Sequence, residues 1–271
     1  MRPAHYDAVI FDLDGVVTDT ANVHAAAWKL LFDEVLRITA ASQGEPFAPF
    51  DLGCDYHAYV DGRPRYEGVQ SFLRSRGIAL DFGDPGDPPD ASTVCGLGNR
   101  KDATFAELLS QQGVRVFHST ITLLRALQSA GVRRAIASSS KNCRHVLEIA
   151  GIEGLFDVRV DGLVLAELGL QGKPHPDLFL RCAELLDVAP PRTVVVEDAL
   201  SGVAAARAGG FGLVIGLDRA GQGEALRAHG ADVVVEDLDR VDPRQLDGWC
   251  RDHSGGMTSA SRAADRTTAA G

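Results

Sequence analysis

The run Ala8-Val9-Ile10-Phe11 ends abruptly in Asp12-Leu13-Asp14-Gly15, and this join constrains the fold more than any other stretch. Four apolar residues closed by acids and a glycine read as a buried strand whose carboxyl end opens into a turn. The pattern recurs. Short Val/Ile-rich runs predict strands over 8–12, 134–138, 158–160, 193–197, 213–216 and 233–235. Between them, spacing of three and four predicts helices over 23–36, 66–76, 100–112, 121–130, 143–150, 176–186 and 201–208. Short apolar strands alternating with helices predict βαβ units on a parallel sheet.

The gap between the first two strands exceeds 100 residues and carries mainly helical signals. A crossover that long must hold an inserted domain. The expected organisation is an α/β core from 1–20 and 117–251, a helical cap over the sheet edge from 21–116, and a disordered tail over 252–271. Within the cap, 81–91 is rich in Asp, Gly and Pro and reads as an exposed loop.

Composition removes several functions. A net charge of −10 argues against nucleic-acid binding, which needs a basic face. Five scattered cysteines without CxxC spacing argue against a disulfide framework or structural zinc and fit a reducing cytoplasm. No stretch reads as a secretory signal or membrane span. Of the 27 basic residues only four are lysine (Lys29, Lys101, Lys141 and Lys173), so each position invites a reason beyond codon bias.

Four segments could carry chemistry. Asp12, at a strand terminus, suits a nucleophile that forms an aspartyl phosphate, and Asp14 suits a general acid/base. Ser138-Ser139-Ser140-Lys141-Asn142 follows the second core strand and reads either as an anion site or as a plain helix cap. Lys173 precedes a Pro-started helix, where its charge could offset a transferring phosphoryl oxygen. Glu197 and Asp198 end another apolar strand. Acids there are costly unless paired or on a metal, and with Asp12 they could complete an oxygen-rich magnesium site. Two look-alikes fail. Val16 and Val17 rule out an EF-hand, and Gly96-Leu97-Gly98 lacks the strand and third glycine of a dinucleotide site.

In this order, each after a strand, the four segments resemble the haloacid dehalogenase (HAD) superfamily, and within it the β-phosphoglucomutase family, over roughly residues 7–240. The resemblance implies a Rossmann-like three-layer core with an α-helical cap and a phosphoryl group carried on Asp12. Asp14 would shuttle a proton. Mg²⁺ would be held by Asp12, the backbone carbonyl of Asp14 and Asp198, with Glu197 assisting. Ser138 and Lys173 would grip the transferring group.

The cap carries further likenesses. The stretch from Thr20 through His24 to Trp28 resembles the family's hinge and first cap helix, with His24 orienting the cap. Arg65 matches the arginine on the distal phosphate, and Lys101 a lysine on the sugar. Ser140-Lys141-Asn142 matches a second phosphate site in the core, so Arg65, Ser140 and Asn142 would take the distal phosphate, and Ser139 is implied among the substrate-binding residues. The implied substrate is β-glucose 1-phosphate, converted to glucose 6-phosphate by a monomer with no nucleic-acid or membrane partner. A sugar-phosphate phosphatase on the same framework is the alternative, and a non-catalytic sensor the third reading. Arg100-Lys101-Asp102 resembles the family's Arg-Lys-Asn segment. Departures stand at Ser139, at Ala199, at Arg63-Pro64 and in the 81–91 insert.

Overall fold

The computed structural model describes residues 4–264, with side chains through residue 253. Six parallel strands form one sheet: β1 (Ala8–Asp12), β2 (Arg133–Ala137), β3 (Val158–Val160), β4 (Thr193–Glu197), β5 (Leu213–Leu217) and β6 (Val233–Val235). Their order is β3-β2-β1-β4-β5-β6, so the chain builds outward from β1 in one direction and then returns to build in the other. This reversal leaves a crevice at the carboxyl ends of the central strands, where ligands bind in open α/β sheets.

Side chains alternate across the sheet. Val9 and Phe11 pack into one apolar layer, with α4 (His118–Ser129) and α5 (Cys143–Ala150). Ala8 and Ile10 face the other, with α7 (Asp177–Leu186) and α8 (Leu200–Ala208). All five residues of β1 are buried, as a central parallel strand requires. Register sets up the chemistry. Asp12 lies opposite Ala137 of β2, one residue before Ser138, and Phe11 lies opposite Val196 of β4, so Asp12 ends beside Glu197.

Between β1 and α4 the chain leaves the sheet to form α1 (Ala21–Gln43), α2 (Arg65–Ser75) and α3 (Val94–Gln112). These helices close a third apolar cluster around Trp28, Phe32, Phe50 and Phe72. A wide turn at Tyr56–Val60 precedes α2, with Asp61 N–H donating to the carbonyl of Tyr56 five residues back. The outgoing and returning crossings lie side by side. Asp19 N–H donates to Arg115 O (2.9 Å), Phe117 N–H donates to Val17 O (3.0 Å), and Thr18 bridges Val116.

Strand bounds differ from expectation by at most a residue. Helices differ more. The third helix starts at Val94 rather than residue 100, because Thr93 Oγ1 caps it by accepting from Gly96 N–H (2.9 Å). Three helices were not anticipated: α6 (Gly162–Leu168), α9 (Gly223–His229) and α10 (Pro243–Ala264). α6 is short but well delimited, capped by Asp161 at one end and by Gly169 in the left-handed region at the other. The tail expected to lose order from 252 instead continues α10 through Ala264, a proline-free stretch that leaves the helix unbroken; 265–271 lie outside the described residues. Among the described residues, no helix is long and apolar enough to cross a membrane.

Candidate active site

A cavity of about 360 Å³ lies between the strand ends and the helical insert. That is ample for a small molecule, whose sites run about 300–1,000 Å³. Its floor is the core. Asp12 is nearly buried, and Lys173 Nζ donates to Asp12 Oδ1 and to Glu197 Oε1, both at 2.5 Å. Glu197 Oε2 accepts from Ala199 N–H (2.6 Å). Burial pushes the Asp12 carboxyl well above the usual carboxylate range, with Lys173 pulling the other way. Burial also opposes the Lys173 charge, yet Asp12 and Glu197 keep it protonated beyond the ordinary lysine range. Asp198 is raised by burial and then by the Glu197 charge.

Two carboxylates thus share one lysine, with a third, Asp198, beside them. Asp12, Glu197 and Asp198 each offer an oxygen within 4.8 Å of the others. An all-oxygen donor set with surplus buried negative charge fits a hard divalent cation. Two glycines admit this crowding. Gly15 has φ +89°, and a Cβ there would sit 1.8 Å from Asp198 Oδ2; a Cβ on Gly202 would sit 1.7 Å from Glu197 Oε1.

Asp14 stands between floor and insert. It accepts a very short hydrogen bond from Thr20 Oγ1, and His24 Nε2 lies 3.4 Å away. Burial works against its charge, but His24 and Thr20 hold the carboxyl down to about 2. Ser138 Oγ is 3.5 Å from Asp14 Oδ2 and also accepts from Ser140 N–H. His24 stacks on Phe105 (centroids 3.9 Å apart), and its Nδ1 lies 2.5 Å from Lys101 Nζ. Lys101 is almost fully buried between the Trp28 and Phe105 rings, and that burial pushes its ammonium down to about 7. Burial, then the Lys101 charge, likewise lower His24.

The far wall carries Arg65, whose Nη1 is 2.5 Å from Asp102 Oδ2, and Lys141, whose Nζ lies over the Tyr66 ring. Ser139 Oγ donates to Gly62 O (2.8 Å) and Ser201 Oγ donates to Asp61 O (2.8 Å), so insert and core are in contact at both points. Of the candidate catalytic, metal and substrate residues, all but Thr20 and Asn142 line the cavity; Lys29 lies elsewhere, donating to Phe50 O (2.9 Å). Thr20 supports Asp14 from behind, and Asn142 Nδ2 donates to Asp102 Oδ1 (2.7 Å).

Sequence reasoning missed several lining residues. Tyr56 and Asp61 precede Arg65 and were not singled out. Phe82 and Pro85 belong to the 81–91 stretch, which is an exposed loop as expected but also borders the cavity. It is tied to α3: Asn99 Nδ2 donates to Pro85 O and Asp87 O, and Tyr66 Oη donates to Asn99 Oδ1.

Comparison with known proteins agrees with this arrangement. A family model described as haloacid dehalogenase-like hydrolase matches residues 6–210. The chain is 52% identical over 239 residues to a β-phosphoglucomutase of Mycobacterium bovis, covering 87% of this chain and 91% of that protein. A β-phosphoglucomutase of Bacillus subtilis is 33% identical, with 84% and 88% covered. Among solved structures, the β-phosphoglucomutase of Clostridium difficile superposes with a TM-score of 0.72 at 25% identity, covering 92% of this chain and 98% of that one.

Proposed function

Since the chain belongs to the haloacid dehalogenase-like hydrolases, we infer that it is a β-phosphoglucomutase that interconverts β-glucose 1-phosphate and glucose 6-phosphate. The observation that carries this reading is the two-ended cavity. Lys173 beside Asp12 marks one phosphate end, and Arg65 with Lys141 marks the other. A mutase working through a bisphosphate needs both ends, whereas hydrolysis of a monophosphate needs one.

In the cycle, Asp12 enters as the phosphoaspartate. Asp14 takes the proton of the sugar 6-hydroxyl as that oxygen attacks phosphorus, and the bond from phosphorus to the Asp12 oxygen breaks. Glucose 1,6-bisphosphate results. It turns over, and Asp12 attacks the phosphorus at position 1. Asp14 returns the proton to the departing anomeric oxygen, so glucose 6-phosphate leaves and the phosphoaspartate is restored. A carboxyl held near 2 starts as a base, as the first half requires. Ser138 and Lys173 steady the transferring group.

Mg²⁺, held by Asp12, Asp198 and the Asp14 backbone carbonyl with Glu197 assisting, would supply charge neutralisation at the same oxygens. Arg65, Ser140 and Lys141 take the distal phosphate, with Ser139 and Asn142 supporting that wall. Lys101 reads the sugar, and Thr20, His24 and Trp28 set the closed position of a cap spanning 21–116. Closure keeps water from the phosphoaspartate.

The test is an assay with β-glucose 1-phosphate, Mg²⁺ and a trace of glucose 1,6-bisphosphate. Glucose 6-phosphate as main product supports the reading. Inorganic phosphate as main product overturns it.

A further inference from the structure

The guanidinium expected to grip the distal phosphate already faces an anion. Arg65 Nη1 is 2.5 Å from Asp102 Oδ2. Yet neither Nη1 nor the buried Nε of Arg65 makes a hydrogen bond of good geometry. Charge is balanced while directional donors stay free, an arrangement suited to exchange rather than permanence. The other oxygen of Asp102 accepts from Asn142 Nδ2 (2.7 Å), and Asn142 N–H donates to Ser140 Oγ (3.2 Å). The carboxylate is one-third exposed and borders the cavity between Arg65 and the Ser140 loop. A phosphate arriving there would meet two cations, Arg65 and Lys141, and one fixed negative charge.

We propose that Asp102 is a specificity and release determinant: a resident counter-anion that the distal phosphate of the substrate must push off Arg65. This rests on the mutase reading. A bisphosphate that must detach from the distal site, turn and rebind within each cycle cannot be held there too firmly. Asp102 weakens that grip by opposing a dianion with its own charge at short range, and it recloses the Arg65–Asn142 bridge when the phosphate departs. An asparagine would keep the bridge to Asn142 but lose the repulsion.

Inorganic phosphate is the probe, read through the rise in melting temperature it causes, because a ligand of the folded state stabilises by mass action. The wild type, Asp102→Asn, Arg65→Ala and the double variant are titrated in parallel, so that phosphate at the core end contributes equally to all four. Loss of the charge lowers the apparent dissociation constant, taken from how the melting temperature climbs with phosphate concentration, about tenfold, as removing a nearby like charge at a partly buried site would. The gain vanishes when Arg65 is also absent, and Asp102→Ala shifts in the same direction as Asp102→Asn. In turnover, Asp102→Asn lowers KM for β-glucose 1-phosphate together with kcat, because release slows.

Phosphate affinity in Asp102→Asn equal to or weaker than wild type overturns the proposal, as does a gain that survives Arg65→Ala. Weaker affinity in Asp102→Ala would make Asp102 merely a support for Arg65. The phosphate series does not depend on the sugar, so a wild-type enzyme that makes no glucose 6-phosphate would sink the functional reading and leave this comparison standing.

Discussion

The floor and the far wall of the cavity are built by opposite means. On the floor, Asp12 and Glu197 end adjacent parallel strands whose register fixes them side by side, and Lys173 satisfies both at 2.5 Å. All three are nearly or fully buried. On the wall, Arg65 starts α2 and Asp102 lies in α3; both are partly exposed, and the guanidinium keeps unused donors. On the proposed function, the groups that would hold a reacting phosphorus are set by a sheet that cannot shift one of them alone, and the groups that would take and release the distal phosphate sit on helices that contact the core through a few hydrogen bonds.

Four substitutions would break or sharpen that contrast. Asp12→Asn removes the reacting oxygen and lowers kcat by ~10⁴-fold or more, while the melting temperature holds, because one of three crowded carboxylates has gone. Acid-quenched labelling from a phosphoryl donor would then trap no adduct at position 12. Lys173→Met strands Asp12 and Glu197 without their shared cation. Breaking a buried pair from one side costs about 3–5 kcal/mol, measurable by urea unfolding, and turnover falls with it. A floor variant of this kind that unfolds like the wild type would undo the contrast.

Arg65→Ala, on the wall, leaves stability within about 0.5 kcal/mol but cuts kcat/KM for β-glucose 1-phosphate by roughly 10–100-fold, the loss of about 1.4–3 kcal/mol of charged hydrogen bonding. Lys101→Met gives the smallest signal, seen in the pH dependence of stability of the substrate-free protein. Unfolded lysine keeps its proton to its ordinary pKa of 10.5, whereas the folded one releases it at about 7. Through that window the unfolded chain binds more protons, so wild-type stability gains from this group as pH rises. Urea unfolding at pH 7 and pH 9 should show a shallower rise in Lys101→Met. Equal slopes would mean that Lys101 is not so deeply desolvated.

The floor was largely legible in the sequence because each of its acids ends a run of β-branched or aromatic residues, and a buried parallel strand announces itself by composition alone. β1 and β4 follow that rule, and Asp12, Glu197 and Asp198 come together through pairing that neighbouring strand ends already suggest. The wall was legible only in part. Arg65 and Lys101 stood out through family likeness, but the burial of Lys101 depends on α1 packing against α3, which brings Trp28 over its ammonium from a distant position, while Phe105 lies one turn further along α3. The Gly/Pro-rich composition of 81–91 rightly signals solvent exposure, but it gives no hint of the hydrogen bonds from Asn99 that lay Phe82 and Pro85 along the cavity rim. α6 escaped because seven residues are too few for periodicity to speak.

The paired crossings at Asp19–Arg115 and Val17–Phe117 carry one last implication. Two separate tethers would let the insert wobble in any direction. Two tethers laced together as a ribbon resist splaying, since pulling them apart breaks their shared hydrogen bonds, but twist readily as a pair. Thr20 follows the ribbon directly and its hydroxyl holds the Asp14 carboxyl, so that carboxyl is anchored at the laced base of the insert, while Arg65 stands on a helix that is not part of the ribbon.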